Sequence, residues 1–193
     1  MGLDAQYWTE RYKNNESGWD LGAISPPLKA YIDQLKNKDL EILIPGAGNA
    51  YEAEYLLKQG FTNVTVCDLS SVPLENLHKR VGENKALNLL NGDFFRLEQR
   101  FDLILEQTFF CALNPELRQG YFLKMRELLN PGGKLVGVLF NDALNRDRPP
   151  FGGYKEEYLT YIPAGLQVKV FDKCHNSIAP RADRELFMIL QKD

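Results

Sequence analysis

The stretch from Leu40 to Asp68 constrains the fold of this chain more than any other. It opens with the apolar run Ile42–Ile44, continues through the glycine turn Gly46–Gly48 and an amphipathic segment, and ends with a second apolar run. Short apolar runs bounded by turn residues indicate buried strands, and apolar residues spaced three and four apart indicate a helix. The stretch therefore predicts strand, tight turn, helix and strand, the first βαβ unit of a doubly wound α/β fold.

The turn and the acidic residue of this unit together predict a nucleoside site. Glycine adopts backbone angles closed to other residues, so Gly46 and Gly48 would let a ligand approach the main chain. A helix that begins near Asn49 would offer it unpaired backbone N–H groups. Asp68 lies twenty residues past Gly48, where a carboxylate can accept hydrogen bonds from a ribose diol. The alternative is a glycine turn that serves packing alone.

Periodicity along the rest of the chain predicts further alternating strands and helices. A helix that begins at Asn114 is expected to turn Leu117 and Tyr121 inward, and the apolar run near Leu186 is expected inside the sheet. The predicted strands lie at 42–44, 64–67, 86–90, 101–105, 134–140, 166–171 and 185–190. The predicted helices lie at 4–16, 25–35, 49–59, 70–81, 114–128 and 155–161.

Size and charge limit the classes of protein to which the chain can belong. A length of 193 residues predicts a single domain, 1–193. The net charge of −3 and the absence of a Lys/Arg-rich block argue against nucleic acid as a partner. No apolar run is long enough to span a bilayer. Cys67, Cys111 and Cys174 are odd in number and form no CxxC pair, which predicts a reducing, cytoplasmic location and argues against zinc.

The first twenty-five residues are rich in aromatic side chains. Trp8 and Tyr12 fall in the first predicted helix, and Trp19 and Leu21 fall in the loop that follows. An aromatic lid over a ligand would stack on adenine or on a sulfonium cation. Packing of the helix onto the core explains the same residues equally well, so both interpretations stay open.

Two cofactors suit this architecture, a dinucleotide and S-adenosylmethionine. The dinucleotide fingerprint requires a third glycine where Tyr51 stands, and Glu52 and Glu54 in the first helical turn would repel a pyrophosphate. S-adenosylmethionine has no phosphate. Asp93 and Phe94 follow the third predicted strand, where they could contact an adenine, although the phenylalanine could equally belong to the core. These features favour S-adenosylmethionine.

At this level of detail the chain resembles a known family. The segments WDLGAISPPL, LIPGAGNAYEAEYL, GDFF, FDLILEQTFFCALNPELR, LLNPGGKLVGVLF and RPPFGG are together similar to the thiopurine S-methyltransferases, and most closely to their thiol/halide methyltransferase branch. The likeness runs from about Trp8 to Leu190. It implies a class I methyltransferase fold, Rossmann-like, with a mostly parallel seven-stranded sheet, one antiparallel strand and helices on both faces.

The resemblance also implies a role for particular residues. Gln107, beside the sulfonium, stands where other members have arginine or tyrosine, and Phe151, in the 141–153 substrate loop, stands where tyrosine is common. The candidate acceptor contacts are Phe110, Phe151 and Arg181. The implied cofactor contacts are Trp8, Trp19, Leu21, Gly46, Gly48, Asp68, Asp93, Phe94 and Gln107.

The implied reaction is an in-line displacement in which a thiol, thiopurine, sulfide, thiocyanate or halide attacks the sulfonium methyl. Because the sulfonium is already activated, no metal is expected. A cation beside a thiol would raise its thiolate fraction, and Arg181 is the first candidate, ahead of Arg148 and His175. An ordinary surface arginine is the alternative for Arg181. A dinucleotide-dependent oxidoreductase and an inactive S-adenosylmethionine-binding domain are the alternative functions.

Overall fold

The computed structural model describes residues 2–193, and it contains one seven-stranded sheet with the order β3-β2-β1-β4-β5-β7-β6. The first five strands run parallel, and β7 pairs antiparallel with both β5 and β6. The strands are β1 Glu41–Pro45, β2 Asn63–Asp68, β3 Leu87–Asn91, β4 Phe101–Gln107, β5 Leu129–Phe140, β6 Leu166–Lys173 and β7 Glu185–Lys192. The predicted fold class is confirmed, with β7 inside the sheet.

Helices cover both faces of this sheet. Successive residues of the central strands point to opposite faces: Ile42 and Ile44 pack into one apolar cluster, and Leu43 packs into the other. All three are buried, as a sheet covered on both sides requires. The helices are α1 Ala5–Lys13, α2 Pro26–Ile32, α3 Tyr51–Lys58, α4 Ser71–Val81, α5 Arg118–Leu128 and α6 Lys155–Thr160.

The structure differs from the sequence prediction at several element boundaries: α2 ends at Ile32 rather than at residue 35, β5 begins at Leu129 rather than at residue 134, and three more helix ends differ. The helix α1 stops at Lys13, because the chain turns at Asn15 with φ +55°. The start of α3 is delayed to Tyr51, since Ala50 is left-handed with φ +52°. The predicted inward position of Leu117 is wrong: it lies in a 3₁₀ turn, Pro115–Leu117, before α5, and is 42% exposed.

The order of the strands fixes where a ligand can enter. After β1 the chain builds β2 and β3 on one side, and then crosses back to lay β4 on the other side of β1. The helices that follow β1 and β4 therefore leave a crevice between them at the carboxyl ends of these two strands. Open α/β sheets bind their ligands in such a crevice.

Candidate active site

A cavity of about 530 Å³ opens at this crevice. Five strands each contribute a lining residue at or just past their carboxyl end. Those residues are Gly46, Asp68, Asp93, Gln107 and Phe140. The opposite wall comes from residues 2–5, from α1 and from the loop that carries Trp19. The sheet therefore supplies a fixed floor, and the N-terminal segment covers it.

The glycine turn after β1 adopts backbone angles that other residues avoid. Gly46 has φ +65° and Gly48 has φ +53°, both in the left-handed region that favours glycine. The Gly46 N–H donates to the Cys67 carbonyl at 2.8 Å. A Cβ on Gly46 would stand 2.8 Å from Cγ of Phe109 and would overlap that ring more closely still elsewhere. Glycine is required here by both the backbone angle and the contact.

Asp68 ends β2 with its carboxylate held by the main chain. Its Oδ2 accepts a hydrogen bond from the Ala47 N–H, and its Oδ1 accepts one from the Ser70 N–H, both at 2.8 Å. Burial raises the pKa of Asp68 to about 6, and the two N–H donors oppose that rise. Each carboxylate oxygen keeps a second lone pair, so Asp68 can still accept hydrogen bonds from a ribose diol.

Asp93 and Phe94 follow β3 and line the same cavity. The Asp93 Oδ1 accepts a hydrogen bond from the Phe95 N–H at 2.9 Å and begins a 3₁₀ turn. Phe94 is 3% exposed and packs edge-on against Phe109, with ring centroids 5.5 Å apart. Phe94 therefore belongs to the core and also lines the cavity wall, and its contact with an adenine stays a prediction.

The end of β4 places an unsatisfied amide in the cavity. Both polar side-chain atoms of Gln107 are buried and have no hydrogen-bond partner. The next residue, Thr108, has φ +56°, a genuine outlier for a β-branched side chain. This conformation turns the chain sharply, and the ring of Phe109 lies against Gly46. Backbone strain of about 1–3 kcal/mol is retained mostly at functional sites.

A buried carboxyl group supports this turn from below. Glu106 is fully buried, and its Oε1 accepts a hydrogen bond from the Phe110 N–H at 3.0 Å, while its Oε2 has no partner. Burial raises the pKa of Glu106 to about 8, against the effect of the Phe110 and Phe109 N–H groups. The group is therefore mostly protonated near neutral pH.

The N-terminal aromatic residues pack as a lid over the cavity. The ring of Trp19 stands edge-on to Trp8, at 5.7 Å between centroids, and to Tyr12, at 5.6 Å. The hydroxyl groups of Thr9 and Ser70 share a hydrogen bond of 2.8 Å that ties α1 to α4. Trp8, Tyr12 and Trp19 all line the cavity.

Eight of the residues proposed from the sequence come together at this cavity: Trp8, Trp19, Gly46, Gly48, Asp68, Asp93, Phe94 and Gln107. Leu21, Phe110, Phe151 and Arg181 do not line it. Leu21 is half-buried in the loop after α1 that also carries Trp19, here called the lid loop. Phe110 is fully buried, with its ring centroid 5.0 Å from that of Tyr121. Phe151 is also buried, and its N–H donates to the Cys111 carbonyl. From the 141–153 loop, Pro149 and Pro150 line the cavity instead.

Arg181 has a different place from the one expected. It is buried, with its Nη1 3.2 Å from the Glu185 Oε1 and its Nη2 donating to the Trp19 carbonyl at 2.8 Å. Both ends of the guanidinium are therefore held by the protein, and the expected contact with an acceptor is replaced by one that anchors the lid loop. Arg148 and His175 are exposed and also lie outside the cavity lining.

Sequence reasoning assigned no site role to several residues that line the cavity. Arg11 is one of them: it stands three residues after Trp8, so helical spacing would have placed it on the same face as Trp8 and Tyr12, the aromatic residues of the possible lid. Phe109 comes two residues after Gln107, and nothing local shows that it packs on a glycine sixty-three residues earlier. The wall also contains apolar residues without an assigned role, among them Leu3, Leu113 and Leu117.

Comparison with known proteins gives a consistent result. The sequence model of the thiopurine S-methyltransferase family matches residues 3–188. Probable thiol methyltransferase 2 of Arabidopsis thaliana is 28% identical over 184 residues, which cover 92% of this chain and 81% of that relative. The thiopurine S-methyltransferase of Vibrio parahaemolyticus is 24% identical over 213 residues, 96% of this chain and 98% of that relative.

A solved structure with the same fold is also that of a methyltransferase. The 1,6-didemethyltoxoflavin-N1-methyltransferase of Burkholderia thailandensis, with bound S-adenosylhomocysteine, aligns with a TM-score of 0.75 and 22% identity. The alignment covers 97% of this chain and 86% of that chain. At this identity the likeness establishes the class I methyltransferase fold. Within residues 2–193, no helix is both long and apolar enough to cross a membrane.

Proposed function

The chain belongs to the thiopurine S-methyltransferase family, and from this membership we propose that its cavity aligns S-adenosylmethionine with a small soft nucleophile. The enzyme is an S-adenosylmethionine-dependent methyltransferase. The acceptors within this proposal are thiols, thiopurines, sulfide, thiocyanate and halides. The observation that carries it is the convergence of Gly46, Gly48 and Asp68 on one cavity at the switch point of the sheet. Nothing in the fold or the relatives favours an oxidoreductase or an inactive binding domain.

The residues of the cavity fit this cofactor. The turn leaves open space at Gly48, where the methionine part is proposed to lie, and Asp68 retains lone pairs for the ribose hydroxyls. Asp93 and Phe94 are proposed to hold the adenine. The amide of Gln107 has no hydrogen-bond partner in the protein. Because buried polar groups usually have one, we propose that its partners are on the bound ligand, near the reacting centre.

When bound, S-adenosylmethionine supplies a methyl group activated by its sulfonium. The protein's part is to orient the acceptor and to exclude water from it. Around Gln107 the wall is apolar, formed by Phe109, Phe140 and Leu113 with the two prolines of the loop. A soft, weakly hydrated nucleophile loses less hydration energy than a hard anion on moving from water to such a wall, so the wall favours soft acceptors.

A direct binding measurement tests the proposal. Calorimetry with S-adenosylhomocysteine should give saturable heat, and single-turnover transfer of a labelled methyl group should follow with at least one member of a panel of thiols, sulfide, thiocyanate, thiopurines and halides. No binding at millimolar ligand would refute the cofactor assignment. Binding without transfer to any acceptor would instead support an inactive domain.

The acceptor's own ionisation should control the rate for thiols. Arg181 is paired with Glu185 and does not line the cavity, so this proposal gives it no contact with the thiolate. With a thiol pKa near 8.5, kcat/KM at saturating cofactor should rise about tenfold per pH unit below that value. Thiocyanate, which is ionised throughout, should show a flat profile over the same range. A flat profile for an alkyl thiol would mean that a group in the cavity deprotonates it.

We also propose a reducing, cytoplasmic setting. The three cysteines, Cys67, Cys111 and Cys174, are all free and buried, which supports a compartment where thiols stay reduced. Non-reducing mass spectrometry of protein isolated with a thiol-blocking reagent should find all three unpaired. A disulfide in that sample would contradict this part of the proposal.

A further inference from the structure

The charged groups of the cavity are unevenly divided. Four charged side chains line it within residues 2–193: Asp4, Arg11, Asp68 and Asp93. The sulfonium and the ammonium of S-adenosylmethionine are both compatible with the three acids. Its carboxylate is not, because a carboxylate placed near another carboxylate is destabilised unless a cation or several N–H donors accompany it. Among the lining residues that the structure describes, Arg11 is the one arginine or lysine.

The surroundings of Arg11 leave part of its hydrogen-bonding capacity unused. Its guanidinium lies over the ring of Trp19, with 5.7 Å between Cζ and the ring centroid, and near Tyr7 at 6.0 Å. Its contact with Glu16 is long, at 3.5 Å from Nη1 to Oε2. The Nε atom is buried and donates to nothing. Buried donors are almost always satisfied, and because Arg11 also lines the cavity, this atom is available to a partner that arrives with the ligand.

The position of Trp19 shows which end of the ligand Arg11 would meet. The indole Nε1 lies 3.9 Å from the point where a Cβ of Gly48 would stand, so the Trp19 ring covers the glycine turn. The methionine part of the cofactor is proposed to lie at that turn. A guanidinium stacked on Trp19 is therefore beside the amino-acid end of the ligand and away from the adenine, which is proposed to lie at Asp93.

We propose that Arg11 binds the carboxylate of the methionine part of S-adenosylmethionine, an inference that rests on the proposed function. Arginine suits this role because its planar fork of donors matches a carboxylate. The contact would place the carboxylate next to α1 and the sulfonium next to Gln107, which sets the direction in which the methyl group faces. Because α1 carries Arg11, the contact would also draw the lid onto the bound ligand.

The test compares two ligands that differ by one group. S-adenosylhomocysteine carries the carboxylate, and its decarboxylated analogue keeps the amine, the thioether and the adenosine. Calorimetry on the wild-type protein should give an affinity about 10- to 100-fold higher for the first ligand. In Arg11→Gln this preference should fall to about twofold or less, while the affinity for the decarboxylated analogue stays within about threefold of wild type. Arg11→Lys should restore part of the preference, since it keeps the charge without the fork.

A matched control lies on the same helix. Lys13→Gln removes one positive charge from α1, but Lys13 is exposed and outside the cavity lining, so the preference should be unchanged. If Arg11→Gln weakens both ligands equally, Arg11 only supports the lid and the proposal is refuted. If the preference is unchanged in Arg11→Gln but the KM for thiocyanate rises, Arg11 serves the acceptor, and the proposal is again refuted. If the wild-type protein binds neither ligand, the proposed function itself fails.

Discussion

The buried carboxylate of Asp68 makes cofactor affinity depend on pH in a predictable direction. Burial raises the pKa of Asp68 to about 6 in the free enzyme. Ribose hydroxyl groups donate to the ionised form, so affinity should be full above this pKa and should be lost as the pH falls through it. If only the ionised form binds, the apparent Kd is multiplied by about 1.1 at pH 7 and by about 11 at pH 5. Calorimetry with S-adenosylhomocysteine at these two pH values should therefore show about a tenfold loss.

Asp68→Asn is the control for this measurement. The amide is uncharged at both pH values, so its affinity should be weaker by about 1–3 kcal/mol at pH 7 but nearly independent of pH. Folding responds in the opposite sense: a carboxyl whose pKa is raised on folding stabilises the protein below its unfolded pKa, and this contribution is lost as the pH rises through about 6. Protonation of Asp68 at low pH therefore does not destabilise the fold, and the loss of ligand affinity cannot be explained by unfolding through this residue. A wild-type affinity that changes less than twofold would refute a contact between Asp68 and the ribose.

Three further substitutions test other parts of the structure. Gly46→Ala should weaken S-adenosylhomocysteine binding more than about tenfold in calorimetry, because its methyl group would overlap the ring of Phe109; a change below twofold would show that the turn relaxes freely. The raised pKa of Glu106, about 8, favours folding at lower pH. In urea unfolding, the free energy of unfolding of the wild type should therefore fall by about 1.4 kcal/mol per pH unit, relative to Glu106→Gln, as the pH rises from about 6 to 8. Parallel pH profiles of the two proteins would contradict this. Arg181→Met should cost about 3–5 kcal/mol of unfolding free energy by leaving Glu185 buried and unpaired, and adding Glu185→Gln should recover most of it.

Local sequence signals identified the floor of the site. The apolar runs, the glycine turn and the spacing to Asp68 are short-range patterns, and each is set by backbone geometry that neighbouring residues determine. The same patterns located Gln107 at the end of β4. They could not place Phe109 on Gly46, because that contact joins two segments whose distance in space depends on the whole sheet. Leu117 was misplaced for a local reason: the 3₁₀ turn before α5 rotates its side chain away from the helix's inner face.

Arg181 and Arg11 show why the partner of a charged side chain is harder to predict from sequence than the position of a strand or turn. Arg181 was expected at the acceptor because it precedes the last strand, but Glu185 lies four residues later and takes its guanidinium. Each charge of a buried ion pair needs its partner, since an unpaired charge in the interior is costly. Arg11 drew no such attention, although it lies on the lid helix with only a long contact to Glu16. Arg181, held at both Nη atoms, anchors the loop that carries Trp19, whereas Arg11 lines the cavity with a buried Nε that has no partner, which is why we propose it for the ligand.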